Sequence, residues 1–142
     1  MGLLDNYTGV GLSPRPKWRH QNIMSNLHID AGLELRKKGL RFLTESTVTN
    51  DWNDLAPDLV IFDRNEEPLS MIEITTHKQL NDIIDKCYVL IERFPEAEYF
   101  VYDYEAQVLY QYIYEDDTWI SSEEAEIKSQ YLDRPLIDYL YE

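Results

Sequence analysis

A chain of 142 residues, 44% hydrophobic and 13% aromatic, has the length of one domain and enough apolar content to bury a core, which excludes a disordered segment. Its 27 acidic residues against 13 lysines and arginines leave a net charge of −14, which opposes indiscriminate binding of polyanions. A single cysteine excludes an internal disulfide, and no apolar run approaches the roughly 18 residues of a membrane span, so with no signal-like start a soluble cytoplasmic protein is expected.

Residues 1–16, with Gly, Pro, Asn and Ser and no periodicity, read as an arm preceding a single domain over 17–142. A helix is expected over about Lys17–Lys38, because Ile23, Met24, Leu27, Ala31 and Leu35 share one face and Gly39 suits its C-cap. Residues 40–49 suggest a strand and Asp51-Trp52-Asn53-Asp54 a turn. Two short apolar runs, Asp58–Asp63 and Leu69–Thr75, flank the turn cluster Arg64–Pro68 and make the strongest hairpin signal. A second helix is expected over about His77–Phe94, with Leu80, Ile83, Ile84, Cys87 and Ile91 along its apolar stripe. Tyr99–Tyr104 and Val108–Tyr114 read as aromatic strands joined by a tight turn near Glu105-Ala106; if exposed, they would offer a homodimer face. A short strand at Thr118–Ile120, a brief helix capped at Ser121-Ser122-Glu123-Glu124 and a mixed tail complete the chain. Helix, strands, helix, strands in that order predicts an α/β fold, a mixed central sheet flanked by helices.

The charge is uneven along this plan. Arg15 to Arg41 holds seven basic residues and two acids, whereas Glu92 to Glu142 holds 14 acids and three bases. A phosphate-binding surface is therefore expected on the N-terminal third, with Arg36, Lys37 and Lys38 as its densest group. Simple solvation of both charged ends is the plainer alternative.

The hairpin carries the chemistry. With its turn centred on Asn65-Glu66, Asp58 falls opposite Glu73, Val60 opposite Met71 and Phe62 opposite Leu69, and opposed residues share a face about 5 Å apart at Cβ. Thr75 lies on that face one step beyond Glu73. Leu59, Ile61, Ile72 and Ile74 make the other face apolar as well, so the pair belongs in the middle of a sheet. Two facing carboxylates there call for a divalent cation, a basic side chain or a shared proton, unless the hairpin end is open to water. Mg²⁺, or Mn²⁺ in its place, suits two carboxylates and several waters. On the first helix Glu34 interrupts the apolar stripe and His20 borders it, so Glu34 is a candidate third acid and His20 a polar neighbour, against ordinary roles at the helix ends. Lys86 borders the stripe of the second helix and Lys78 points away from it, which favours Lys86 as the cation near a nucleophilic water, with Lys78 the alternative closer in sequence. No phosphate loop, nucleophile elbow or zinc spacing is present.

The segment Ala-Pro57-Asp58-Leu-Val-Ile-Phe followed by Met71-Ile-Glu73-Ile resembles the PD-(D/E)XK nuclease superfamily. The order of pieces is similar to the Uma-two family of restriction-endonuclease-like proteins. Those pieces are a helix starting near a histidine (His20), the PD strand, the apolar-Glu-apolar strand, a helix with Asp82 and Lys86 four apart, and a strand Glu98-Tyr99-Phe100-Val101-Tyr102-Asp103. The resemblance covers roughly Trp18 to Tyr114. It implies a restriction-endonuclease-like core, Asp58 and Glu73 as Mg²⁺ ligands, and Glu34 as the first-helix acid. The lysine the superfamily carries two residues after the glutamate is replaced here by Thr75, and the resemblance then points to Lys86 from the following helix.

Two functions follow from these readings. One is a Mg²⁺-dependent endonuclease on DNA in which Asp58 and Glu73 hold the metal and Lys86 serves the water. The other is a catalytically degenerate nuclease-fold domain acting as a binding or assembly module, favoured by the net charge of −14 and by Thr75.

Overall fold

The computed structural model describes residues 16–46, 48 and 55–142; the expected arm before Pro16 and the expected turn at Asp51–Asp54 lie outside these. The chain runs α1 (Pro16–Lys37), β1 (Arg41–Thr44), β2 (Leu59–Phe62), β3 (Pro68–Thr75), α2 (Leu80–Arg93), β4 (Glu98–Asp103), β5 (Val108–Ile113), β6 (Thr118–Ser121) and a 3₁₀ turn at Leu136–Tyr139. The strands form one six-stranded sheet in sequence order. Every neighbouring pair is antiparallel except β3 and β4, which are parallel and joined through α2.

α1 forms because its apolar residues recur at helical spacing, and Ile23, Met24, Leu27, Ala31 and Leu35 are all buried. It stops at Gly39 (φ 78°), where Leu40 N–H reaches back to Leu35 C=O at 3.0 Å, the bond of a Schellman end. α1 packs on one face of the sheet with Leu59, Ile61, Ile72, Ile74, Phe100 and Tyr102. α2 covers the other face, placing Cys87, Leu90 and Ile91 against Val60, Met71, Tyr99 and Val101. The two faces alternate along β2 and β3 as the period-two pattern requires, and β2 is buried throughout.

Three expectations are corrected. The strand over 40–49 stops at Thr44, because Glu45 takes a left-handed conformation (φ 51°) that turns the chain. α2 begins at Leu80 instead of His77, because Thr76–Gln79 form a turn with Gln79 N–H on Thr76 C=O and His77 is drawn toward β4. In β4 the rings of Tyr99, Phe100 and Tyr102 are buried, as is Tyr104 just after it, whereas Tyr110 and Tyr112 of β5 are half-buried. Exposed aromatic surface remains at Tyr88 and Tyr114, beside the tilted and edge-on ring cluster that includes Tyr112 and Trp119. At Ser121–Glu124 the reciprocal bonds of a capping box close a single turn and no helix follows. No helix of the described residues is long and apolar enough to cross a membrane.

The C-terminal segment returns along α1 and is tied to it from end to end. Arg19 makes a bidentate pair with Glu142 at 2.9 and 2.7 Å. Lys38 Nζ sits 3.0 Å from Asp133, and Asn26 donates to the Tyr141 carbonyl. Glu34 is the central tie: its carboxylate accepts the Tyr139 hydroxyl at 2.7 Å, the Asp133 amide and Lys38. Replacing it removes the acceptor of the Tyr139 hydroxyl and of the Asp133 amide, so Glu34→Ala is expected to lower unfolding stability by about 1–3 kcal/mol in urea denaturation. An unchanged midpoint and slope would contradict that role.

Candidate functional site

The parallel strands β3 and β4 end together at one end of the sheet, where the antiparallel β2 begins. The observed pairs Leu59↔Ile72, Val60↔Met71 and Ile61↔Ser70 agree with the expected register. Its continuation sets Asp58, the residue just before β2, against Glu73. At the other end a bulge between Ile61 and Phe62 pairs Phe62 with Pro68 and not with Leu69. There Asp63 Oδ1 collects the amides of Asn65 and Glu67 and pulls the turn tight.

Asp58 completes the ladder with its side chain. Its Oδ2 accepts the Ile74 amide at 2.8 Å, in the place a longer β2 would have offered a carbonyl. The same oxygen lies 3.0 Å from His20 Nε2 at the start of α1, and the Asp58 amide points to Glu73 Oε1 at 3.3 Å. Glu73 is 2% exposed, on the α2 side of the sheet. Its Oε2 is 2.7 Å from Lys86 Nζ, which also donates to the Ala56 carbonyl at 3.2 Å. A chain of contacts thus runs His20, Asp58, Glu73, Lys86, and it joins both helices across the sheet end.

The two acids are not equivalent. Burial works against ionisation of Asp58, but His20, the Ile74 amide and Lys86 outweigh it and hold its carboxyl below the usual range. For Glu73, burial and the Asp58 charge push its carboxyl up to about 7, against the opposing pull of Lys86. Near neutral pH the pair therefore sits at the point where it gives up its last proton.

The other expected residues divide clearly. Lys86 meets Glu73, whereas Lys78 is exposed in the turn before α2. Thr75 is buried beside Glu73, and its hydroxyl donates to the Thr76 carbonyl at 3.0 Å, so it supplies no charge there. Glu34 does not join the pair: its partners are in the C-terminal segment, and about 21 Å of helix separates it from His20. The helical stripe placed it on the correct face but at the wrong height. Arg36, Lys37 and Lys38 close the same far end of α1, about 24 Å or more from His20, and Lys38 is bound to Glu34 and Asp133. One residue of this sheet end was not foreseen. Asp103, fully buried at the end of β4, lies 2.6 Å from His77 Nδ1. In the sequence it is marked as the acid that closes an aromatic strand and ends the Glu98–Asp103 piece of the resemblance, with nothing to pair it with His77.

No family model matches the chain, and no curated protein matches it. Among solved structures it is similar to a protein from Anabaena variabilis described as a putative nuclease belonging to DUF820. That likeness has a TM-score of 0.57 and 15% sequence identity, and spans 95% of this chain and 89% of the other. It establishes the fold: the mixed six-stranded sheet with two helices is a restriction-endonuclease-like α/β arrangement.

Proposed function

We propose that the protein is a Mg²⁺-dependent endonuclease, a phosphodiester hydrolase acting on DNA, with Asp58 and Glu73 as its metal ligands, in keeping with the Uma-two and PD-(D/E)XK resemblance. The observation that carries this reading is a buried acidic pair with a lysine 2.7 Å from one carboxylate, at the strand ends of a nuclease-like fold. The donor set fits the ion. Two carboxylates leave room for the several waters that Mg²⁺ or Mn²⁺ retains, and among the described residues no group of three His, Cys, Asp or Glu surrounds a metal position.

Bound there, Mg²⁺ would polarise a phosphoryl oxygen and acidify a water. The chain's own residues do the rest. Asp58 is held in one orientation by the Ile74 amide and His20, so its second oxygen faces outward from a fixed position. Glu73 gives up its proton as the cation enters. Lys86, anchored by the Ala56 carbonyl, orients the attacking water and offsets charge on the phosphate. A lysine on α2 thereby takes the place left by Thr75.

The second reading, a catalytically degenerate module for binding or assembly, draws on the charge. The net charge is −14, and Arg19 and Lys38 of the basic segment are neutralised by the C-terminal segment. A role in contacting nucleic acid remains for the exposed Arg36 and Lys37 only at a distance from the pair.

Calorimetry with Mn²⁺ tests the metal. The parent is expected to bind, and Asp58→Asn to lose at least about tenfold in affinity. Because Glu73 must lose a proton to bind, affinity should fall about tenfold per pH unit below about 7 and level off above it. Equal heats in both proteins, no heat in either, or an affinity flat from pH 6 to 8 would contradict the reading. A plasmid-nicking assay tests the chemistry. Lys86→Met is expected to lose about 100-fold or more and Lys78→Met less than about threefold. Undiminished nicking by Lys86→Met would remove Lys86 from the mechanism, and a parent inactive with Mn²⁺ bound would favour the module.

A further inference from the structure

Asp103 has more bonding than its turn requires. Its Oδ1 accepts the Glu105 amide at 3.1 Å and the Ala106 amide at 3.0 Å, which is enough to shape the β4–β5 turn. Its Oδ2 is given to His77. The His77 side chain is 70% exposed, so packing does not set its orientation; the fully buried carboxylate does. The His77 backbone is pinned as well, its amide donating to Glu105 at 2.9 Å. A carboxylate can only accept here, so Nδ1 carries the hydrogen and Nε2 is the outward nitrogen. A buried acid that fixes the tautomer and aim of an accessible imidazole is the arrangement used to move protons.

Strand register puts this pair beside the proposed metal site. Glu73 pairs with Val101 and Thr75 with Asp103, so Glu73, Thr75 and Asp103 share one face of the parallel strands. Strand spacing and rise set the Asp103 Cα about 8 Å from that of Glu73, at the same end of the sheet.

We propose that His77, aimed by Asp103, is the proton donor to the leaving oxygen of the phosphodiester cleaved at the Asp58–Glu73–Lys86 site. The proposal rests on the hydrolase reading above. In the step, the water oxygen bonds to phosphorus and the bond from phosphorus to the leaving sugar oxygen breaks with its electron pair. That oxygen takes the Nε2 proton of the His77 imidazolium, leaving the neutral ring with its Nδ1 hydrogen still donated to Asp103, and the proton released by the attacking water passes to solvent, from which Nε2 is reprotonated. Lys78 follows His77 in the exposed turn, and the Glu105 carboxylate holds the His77 amide.

Leaving-group dependence tests it. DNA departs as a basic alkoxide that needs a proton, whereas the nitrophenolate of bis(p-nitrophenyl) phosphate does not. With Mn²⁺, His77→Gln is expected to lose about 100-fold on DNA and less than about threefold on the aryl diester. Added imidazole should restore DNA cleavage to His77→Ala, which serves as the second probe if the glutamine variant is less stable. Equal losses on both substrates, no loss on either, or no rescue would overturn the role of His77 while leaving the hydrolase reading intact. A parent inactive on both substrates would overturn the hydrolase reading and this role with it.

Discussion

The end of the β2–β3 ladder brings two carboxylates face to face, and much of the surrounding structure answers that contact. Two like charges about 5 Å apart repel by about 3 kcal/mol at the effective dielectric of a partly buried site, which corresponds to about two pKa units. Burial of Glu73 adds to this. Lys86 and the Asp58 amide oppose both effects and hold the Glu73 carboxyl at about 7. Asp58 is stabilised differently, by serving as the last rung of the ladder and by contact with His20. The result is one ionised acid beside one poised near neutral pH.

The charge distribution follows from the path of the chain. A segment rich in arginine and lysine and a segment rich in acids are adjacent in space because the C-terminal residues run along α1. Arg19 with Glu142 and Lys38 with Asp133 are consequences of that path. These pairs are partly exposed, so each contributes little to stability alone. Their larger effect is to remove two cations from any surface that would attract a polyanion. The lysine at the carboxylate pair comes instead from α2, as Lys86.

The hairpin was legible because its signals are local. A period-two pattern, a polar turn and two acids at symmetric positions determine the register within a few residues, and the central pairs agree with it. Lys86 was legible for a similar reason: its place on the wheel of α2 follows from the apolar stripe that must face the sheet. Glu34 shows the limit. Helical periodicity reports direction around the axis and carries no information about which height along α1 meets the strand ends. The position of Glu34 depended on where the C-terminal segment would lie, a long-range contact without a periodic signature. The buried state of Tyr99, Tyr102 and Tyr104 was hidden likewise, since an aromatic strand suits an interface or a core equally well. Asp103 and His77 were missed because their meeting needs the parallel pairing of β3 with β4, and that register is set across an intervening helix.

The account depends most on Glu73 being poised by its neighbours. A carbon-13 titration of the Glu73 side-chain carboxyl in the metal-free protein measures this directly. The predicted midpoint is about 7, moving higher in Lys86→Met as the opposing charge is lost. A midpoint near the ordinary glutamate value of about 4.5, unmoved by that substitution, would contradict it.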